Sequence, residues 1–174
     1  MRGGGKCIMI ASVATNEYAW MSGRYLDDIA EQLKMNETEA VLHILQHEGP
    51  AVVAIYFSIS EEDVCCLMTS PLHCVCTDGI VGAHPHPRTY ASFPRFLGHY
   101  VCEQKLMDLP TAIRKITFEP ARRLRLWDRG LLRVGMAADV VMFDPLTIRD
   151  VNSYTEPTLR PVGIQHVIVR GVIQ

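Results

Sequence analysis

The sequence predicts an α/β fold, and three stretches carry that prediction. Ala51–Phe57 (AVVAIYF) is a continuous, β-branched-rich run of the kind that forms a strand buried on both faces. Ser60-Glu61-Glu62-Asp63 opens a helix by its capping pattern. A second apolar run, Cys74–Thr77, then ends on Asp78-Gly79. Strand, short helix and strand over 51–77 make one crossover unit. A right-handed crossover would leave its two strands parallel and adjacent. Tyr56 and Asp78 would then stand near the carboxyl ends of neighbouring strands, where ligands of α/β proteins bind.

The remaining elements follow in order. Cys7–Val13 is a short apolar strand, and 16–23 is polar and turn-like. Residues 24–34 place Tyr25, Ile29 and Leu33 on one helical face. Asn36 and Glu39 form a capping box for the next helix, which stops at Gly49-Pro50. Helices are expected over 94–106, 111–116 and 120–126. The tail is β in character: Ala138–Phe143 is a strand closed by Asp144-Pro145, and Val167–Ile173 is a last strand with a turn or bulge at Gly171.

Composition narrows the setting. The chain has 174 residues, 48% hydrophobic and 21% charged, with a net charge of -2, which suits a folded domain with a core. That balance offers no attraction to nucleic acid or an anionic membrane. No apolar run approaches the ~20 residues of a membrane span, and Met1–Lys6 is a poor signal sequence. A cytoplasmic protein is expected. Six cysteines include the adjacent Cys65 and Cys66 and the alternating Cys74 and Cys76. They read as small buried apolar residues rather than a disulfide framework.

Chemistry-bearing residues concentrate after the second strand of the crossover. Asp78 is followed by the proline-ruled loop His84-Pro85-His86-Pro87-Arg88-Thr89-Tyr90. Asp78 is either a reacting carboxylate or a turn acid before glycine. Arg88 is either an anion-binding guanidinium or half of a surface ion pair, and Tyr56 either lines a site or fills the core. His84 with His86, Cys74 with Cys76, and His43 with His47 are conceivable metal pairs. None sits at the spacing of a complete site, and His43 and His47 read as a solvated helix face. Arg122, Arg123 and Arg125 likewise read as a solvated face.

Several of these motifs occur together. Ser60-Glu-Glu-Asp-Val64, Thr77-Asp78-Gly79, His86-Pro-Arg-x-Tyr90 with Phe93-Pro94-Arg95, Pro120-Ala121-Arg122 and the run Gly135–Pro145 (GMAADVVMFDP) stand in this order. From about Cys7 to the end the chain resembles the carboxyl-terminal portion of N-acyl-D-amino-acid deacylases (D-aminoacylases), within the amidohydrolase superfamily. The G-M-A-A-D-V-V-x-F-D-P tail is specific for the superfamily, and the H-P-R-x-Y…F-P-R loop beside T-D-G points to the deacylase branch.

The resemblance implies the carboxyl-terminal part of a metal-dependent (β/α)8 barrel plus strands of a small β-sandwich. Residues 1–49 would be a tail and inserted segment, 50–127 the last two barrel strands with their helices, and 128–174 the sandwich strands. It implies hydrolysis of the amide of N-acyl-D-amino acids, small-molecule substrates. Asp78 would be the catalytic proton carrier, Arg88 the clamp on the substrate α-carboxylate, and Tyr56 a residue lining the substrate site. His86 receives no role, and Thr77 replaces the family's usual serine while keeping a hydroxyl. Zinc is expected for the full-length family, but its ligands lie on earlier strands, so this chain would not fully ligand a metal. A barrel takes ~250 residues, so the open sheet edges of this chain invite association. The alternative to a deacylase part is a non-catalytic remnant or pairing module.

Overall fold

The computed structural model describes residues 3–82 and 84–174; the charged start at Met1-Arg2 lies outside them. The chain divides into two compact units. One comprises Met1–Ile59, Gly79–Thr89 and Ser153–Thr158, the other Ser60–Asp78, Tyr90–Asn152 and Leu159–Gln174.

The first unit is built on an antiparallel sheet of order β2-β1-β3. Its strands are β1 (Ile8–Ser12), β2 (Arg24–Tyr25) and β3 (Val53–Tyr56). Met9, Ile10 and Ala11 are all buried, which explains why this uniformly apolar run takes the central place. Helix α1 (Leu26–Leu33) starts later than the periodicity suggests, because Arg24 and Tyr25 pair with Ile10 and Met9 of β1. Helix α2 (Glu37–Glu48) begins with the expected capping box. Asn36 Oδ1 accepts from Glu39 N–H at 2.9 Å, and Glu39 Oε2 accepts from Asn36 N–H at 3.0 Å. The helix ends at Gly49, whose φ of 60° lies in the left-handed region. Met21, Leu26, Ile29, Ala40 and Ile44 close the core with Ile10.

Here the expected crossover fails. β3 runs antiparallel to β1, with Ile8 opposite Tyr56 and Met9 opposite Ile55. Cys74–Thr77 forms no strand. A strand exists through its ladder, and an apolar, β-branched run acquires one only where a partner edge is offered. β1 supplies that edge to β3, while Cys74–Thr77 has no hydrogen-bonded strand partner among the described residues. The expectation that Tyr56 and Asp78 end adjacent parallel strands falls with it.

The second unit holds α3 (Glu61–Thr69), α4 (Arg88–Arg95) from Tyr90 onward, α5 (Leu109–Ile116) and α6 (Phe118–Arg123). Ser60 Oγ caps α3 by accepting from Asp63 N–H at 3.1 Å. The helix expected from Pro94 begins instead at Arg88, with Pro94 inside it. Proline removes one helical donor, and the chain continues as a π-helical stretch, Phe96–Glu103. Gly98 on that stretch faces the Ile148 backbone, where a Cβ would collide. Phe96, Leu97, Val101, Ala112 and Ile148 form the core.

The tail forms an antiparallel sheet of order β4-β5-β6, with β4 (Val140–Phe143), β5 (Ile164–Val169) and β6 (Val172–Ile173). The expected final strand is thus a hairpin, turning at Arg170-Gly171, both with positive φ.

Candidate functional site

The loop that carries Arg88 is pinned from several directions within the first unit. His86 Nδ1 accepts from Arg88 N–H at 3.0 Å, and the His86 carbonyl accepts from Thr89 N–H at 3.0 Å. His86 therefore caps the first turn of α4 with both ring and backbone. An accepting Nδ1 puts the neutral ring's proton on Nε2, which faces Tyr154 Oη at 3.3 Å. His84 Nε2–H donates to the Tyr154 carbonyl at 2.6 Å, and Pro85 between the two histidines is buried. The Tyr154 ring stands edge-on to Phe57 at 4.8 Å and to His86 at 5.2 Å. At the loop's other end, a Cβ on Gly79 would come within 2.8 Å of Thr89 Cα, so only glycine fits this close approach. Arg88 leaves this scaffold as the first residue of α4, with an exposed side chain.

Tyr56 ends β3 in the same unit. Strand alternation turns Phe57 toward Tyr25 and Tyr154 and leaves Tyr56 68% exposed. A core aromatic it is not. His84 and His86 spend their rings on Tyr154 and Arg88, so the loop reads as a rigid bracket. His47 Nδ1–H donates to the His43 carbonyl at 2.7 Å, and His43 Nε2 meets Tyr18 Oη at 3.1 Å. Among the described residues, no group of three or more His, Cys, Asp or Glu side chains is placed to hold a metal ion.

Asp78 belongs to the second unit, Tyr56 and Arg88 to the first. Its side chain is exposed and its φ is 43°, a left-handed conformation that aspartate tolerates better than most residues. The segment leading to it is held at its start. Lys115 is 5% exposed, and its Nζ donates to the carbonyls of Ser70 and, at 3.4 Å, His73. Ser70 is the C-cap of α3, so the buried ammonium meets the negative end of that helix. Burial, then the positive charges of Lys115 and Arg123, push the His73 ring below its usual value and keep it neutral. Val75 packs against the core of the unit. Asp78 is therefore carried on a segment anchored five residues earlier, at His73.

The motif residue Arg95 is held too. Arg95 donates to Asp150 at 2.9 Å, and its guanidinium lies 5.8 Å from the Tyr100 ring centre. Burial, then the Glu61 carboxylate, push the Tyr100 hydroxyl up to about 12, so it remains a donor to Glu61. Sequence reasoning missed Tyr154 and Lys115. Tyr154 lies in a loop with no period to read. Lys115 left one signal, a lysine three residues after Ala112 on the face that turns inward.

Comparison with known proteins shows the family. The amidohydrolase family model matches residues 19–174, and the chain belongs to that family. Within it, the chain is 46% identical over 119 residues to N-acyl-D-glutamate deacylase of Alcaligenes xylosoxydans xylosoxydans, covering 68% of this chain and 24% of that protein. It is 39% identical over 152 residues to D-aminoacylase of the same organism, covering 87% and 30%. A crystal structure of N-acyl-D-glutamate deacylase from Bordetella bronchiseptica, complexed with zinc and a phosphonate mimic of the tetrahedral intermediate, superposes with a TM-score of 0.89 at 39% identity, covering 96% of this chain and 34% of that one. A crystal structure of D-aminoacylase superposes at 0.87 and 34% identity, over 95% and 34%. The chain spans about a quarter to a third of the length of these relatives. Its mixed helix-and-sheet fold is that of the matching part of D-aminoacylase structures.

Proposed function

We propose that this chain supplies the proton-carrying and substrate-clamping part of an enzyme that hydrolyses the amide of N-acyl-D-amino acids. The observation that carries the reading is the left-handed, exposed Asp78 on an anchored segment, within a chain whose relatives are N-acyl-D-amino-acid deacylases. In this reading 50–127 contributes to a (β/α)8 barrel, 128–174 to a small β-sandwich, and 1–49 is a tail and inserted segment. Cys74–Thr77 gains its ladder only when neighbouring strands flank it. A reducing, cytoplasmic setting is part of this reading.

Asp78 takes a proton from the water that adds to the amide carbonyl carbon. It returns that proton to the nitrogen as the C–N bond breaks, so a carboxylic acid and a D-amino acid leave. Arg88 grips the substrate α-carboxylate with its planar fork, and its position at a capped helix start fixes the direction of that grip. Tyr56, exposed at the end of β3, lines the acyl-amino-acid site. Among the described residues no group of three or more His, Cys, Asp or Glu side chains is placed to hold a metal ion, so a metal of the complete fold would draw ligands from beyond this chain.

The test is a chimaera. The carboxyl-terminal third of the Bordetella N-acyl-D-glutamate deacylase is replaced by this chain, and release of D-amino acid is followed. Turnover that Asp78→Asn abolishes is expected. A folded chimaera with no turnover on any N-acyl-D-amino acid overturns the reading.

A further inference from the structure

Within the first unit, three donor-bearing rings gather at one end of α2. His43 and His47 stand four residues apart on that helix, so their side chains are neighbours on one face. Their ring centres are 4.2 Å apart. The Tyr18 ring lies 5.6 Å from His43 and 5.4 Å from His47, so each ring meets the other two. The sequence marks the two histidines as a solvated helix face. The structure leaves His47 exposed but half-buries His43, beside the buried Tyr18.

Hydrogen bonding sets which nitrogen can act as a ligand. The His43 carbonyl only accepts, so the 2.7 Å bond to it places a proton on His47 Nδ1 and leaves Nε2 with a lone pair. A backbone carbonyl on the far nitrogen is the usual second partner of a metal-binding histidine, because it fixes tautomer and ring angle. On His43, Nε2 faces Tyr18 Oη at 3.1 Å. Two donor atoms side by side on one ion, each ~2 Å from it, stand roughly 3 Å apart. The Tyr18–His43 pair already has that spacing. The surroundings are negative as well. Burial, then the Glu17 and Glu48 carboxylates, push the Tyr18 hydroxyl above its usual value, and those same charges attract a cation.

We propose that Tyr18, His43 and His47 form a binding site for a divalent transition-metal ion of the class imidazole favours: nickel, copper or zinc. The two Nε2 atoms are the nitrogen ligands and Tyr18 Oη is the oxygen ligand. The phenol proton passes to water as the ion binds. The phenol thus supplies the third donor where, among the described residues, no third His, Cys, Asp or Glu side chain is placed to do so. Water completes the coordination on the exposed His47 side. The bound ion joins Tyr18, in the turn ahead of β2, to α2.

The experiment titrates nickel(II) chloride into the full 174-residue chain after treatment with a chelator. Nickel(II) is used because it does not oxidise thiols, and the cysteines are free. Calorimetry is expected to show one equivalent bound, with proton release read from the dependence of the heat on buffer. Paramagnetic broadening in proton–nitrogen spectra is expected at Tyr18, His43 and His47. His47→Ala, at an exposed position, and Tyr18→Phe, which keeps the ring, should leave the circular dichroism unchanged. Each should weaken binding about tenfold or more, since a lost ligand costs at least as much as a lost outer partner. A parent chain that binds no nickel overturns the proposal. So does broadening confined to the cysteine-bearing segments, or binding that either folded variant leaves intact.

Discussion

Asp78 shows how backbone conformation and chemistry are tied at one residue. With φ at 43°, a side chain other than aspartate, asparagine or glycine is strained. Asp78→Asn is expected to match the parent chain in thermal stability while removing the proton acceptor. Asp78→Ala is expected to lose about 1 kcal/mol from the backbone alone, read by denaturant melts; equal melts for the two variants would remove the conformational argument. A second residue sets the acid limit of the first unit. The buried Glu48 carboxylate accepts from Thr15 Oγ1 and from the N–H groups of Ala14 and Thr15. The Thr15 hydroxyl bond, followed by those backbone donors, outweighs burial and holds its pKa below the usual glutamate value. That stabilisation is complete above the unfolded value of about 4.3 and is lost as the pH falls through the lowered folded value. The stability gap between the parent chain and Glu48→Gln should therefore be widest near neutrality and close in acid. A gap that stays constant with pH would contradict it.

Among the elements, α5 and α3 are joined by an unusual tether, the buried Lys115 ammonium on the carbonyls that follow α3. Lys115→Met keeps the volume and removes the donor. Amide hydrogen exchange of His73–Thr77 should then quicken about tenfold, the loss expected for a charged hydrogen bond. Exchange unchanged in that segment would show the tether to be idle. Elements with local determinants were legible in the sequence: the Asn36–Glu39 box, the Ser60 cap, the Gly49 stop and the β character of the tail all depend on neighbours a few residues away. Elements with distant determinants were not. Cys74–Thr77 is apolar enough for a strand but has no edge to join, and Arg24–Tyr25 left its helical pattern because β1 offered one. The site divides the same way. Asp78, Arg88 and Tyr56 were singled out by motif, whereas Tyr154 joins His84 and His86 across some seventy residues of sequence, a relation no local pattern carries.

At the scale of the whole molecule, exposed apolar side chains decide how the surface behaves. Leu132, Leu146, Trp127 and Val172 are exposed apolar side chains in a chain that is 48% hydrophobic. The folded chain alone is expected to bind a hydrophobic dye such as ANS. Replacing Leu132 and Leu146 by lysine should lower the bound dye, and undiminished fluorescence would mean that these side chains do not form the dye site. The closure between Gly79 and Thr89 carries a different consequence. Because the two ends of 79–89 touch, a side chain added at Gly79 would press on Thr89 at the first turn of α4. The contact is therefore a clasp whose two halves cannot be altered independently.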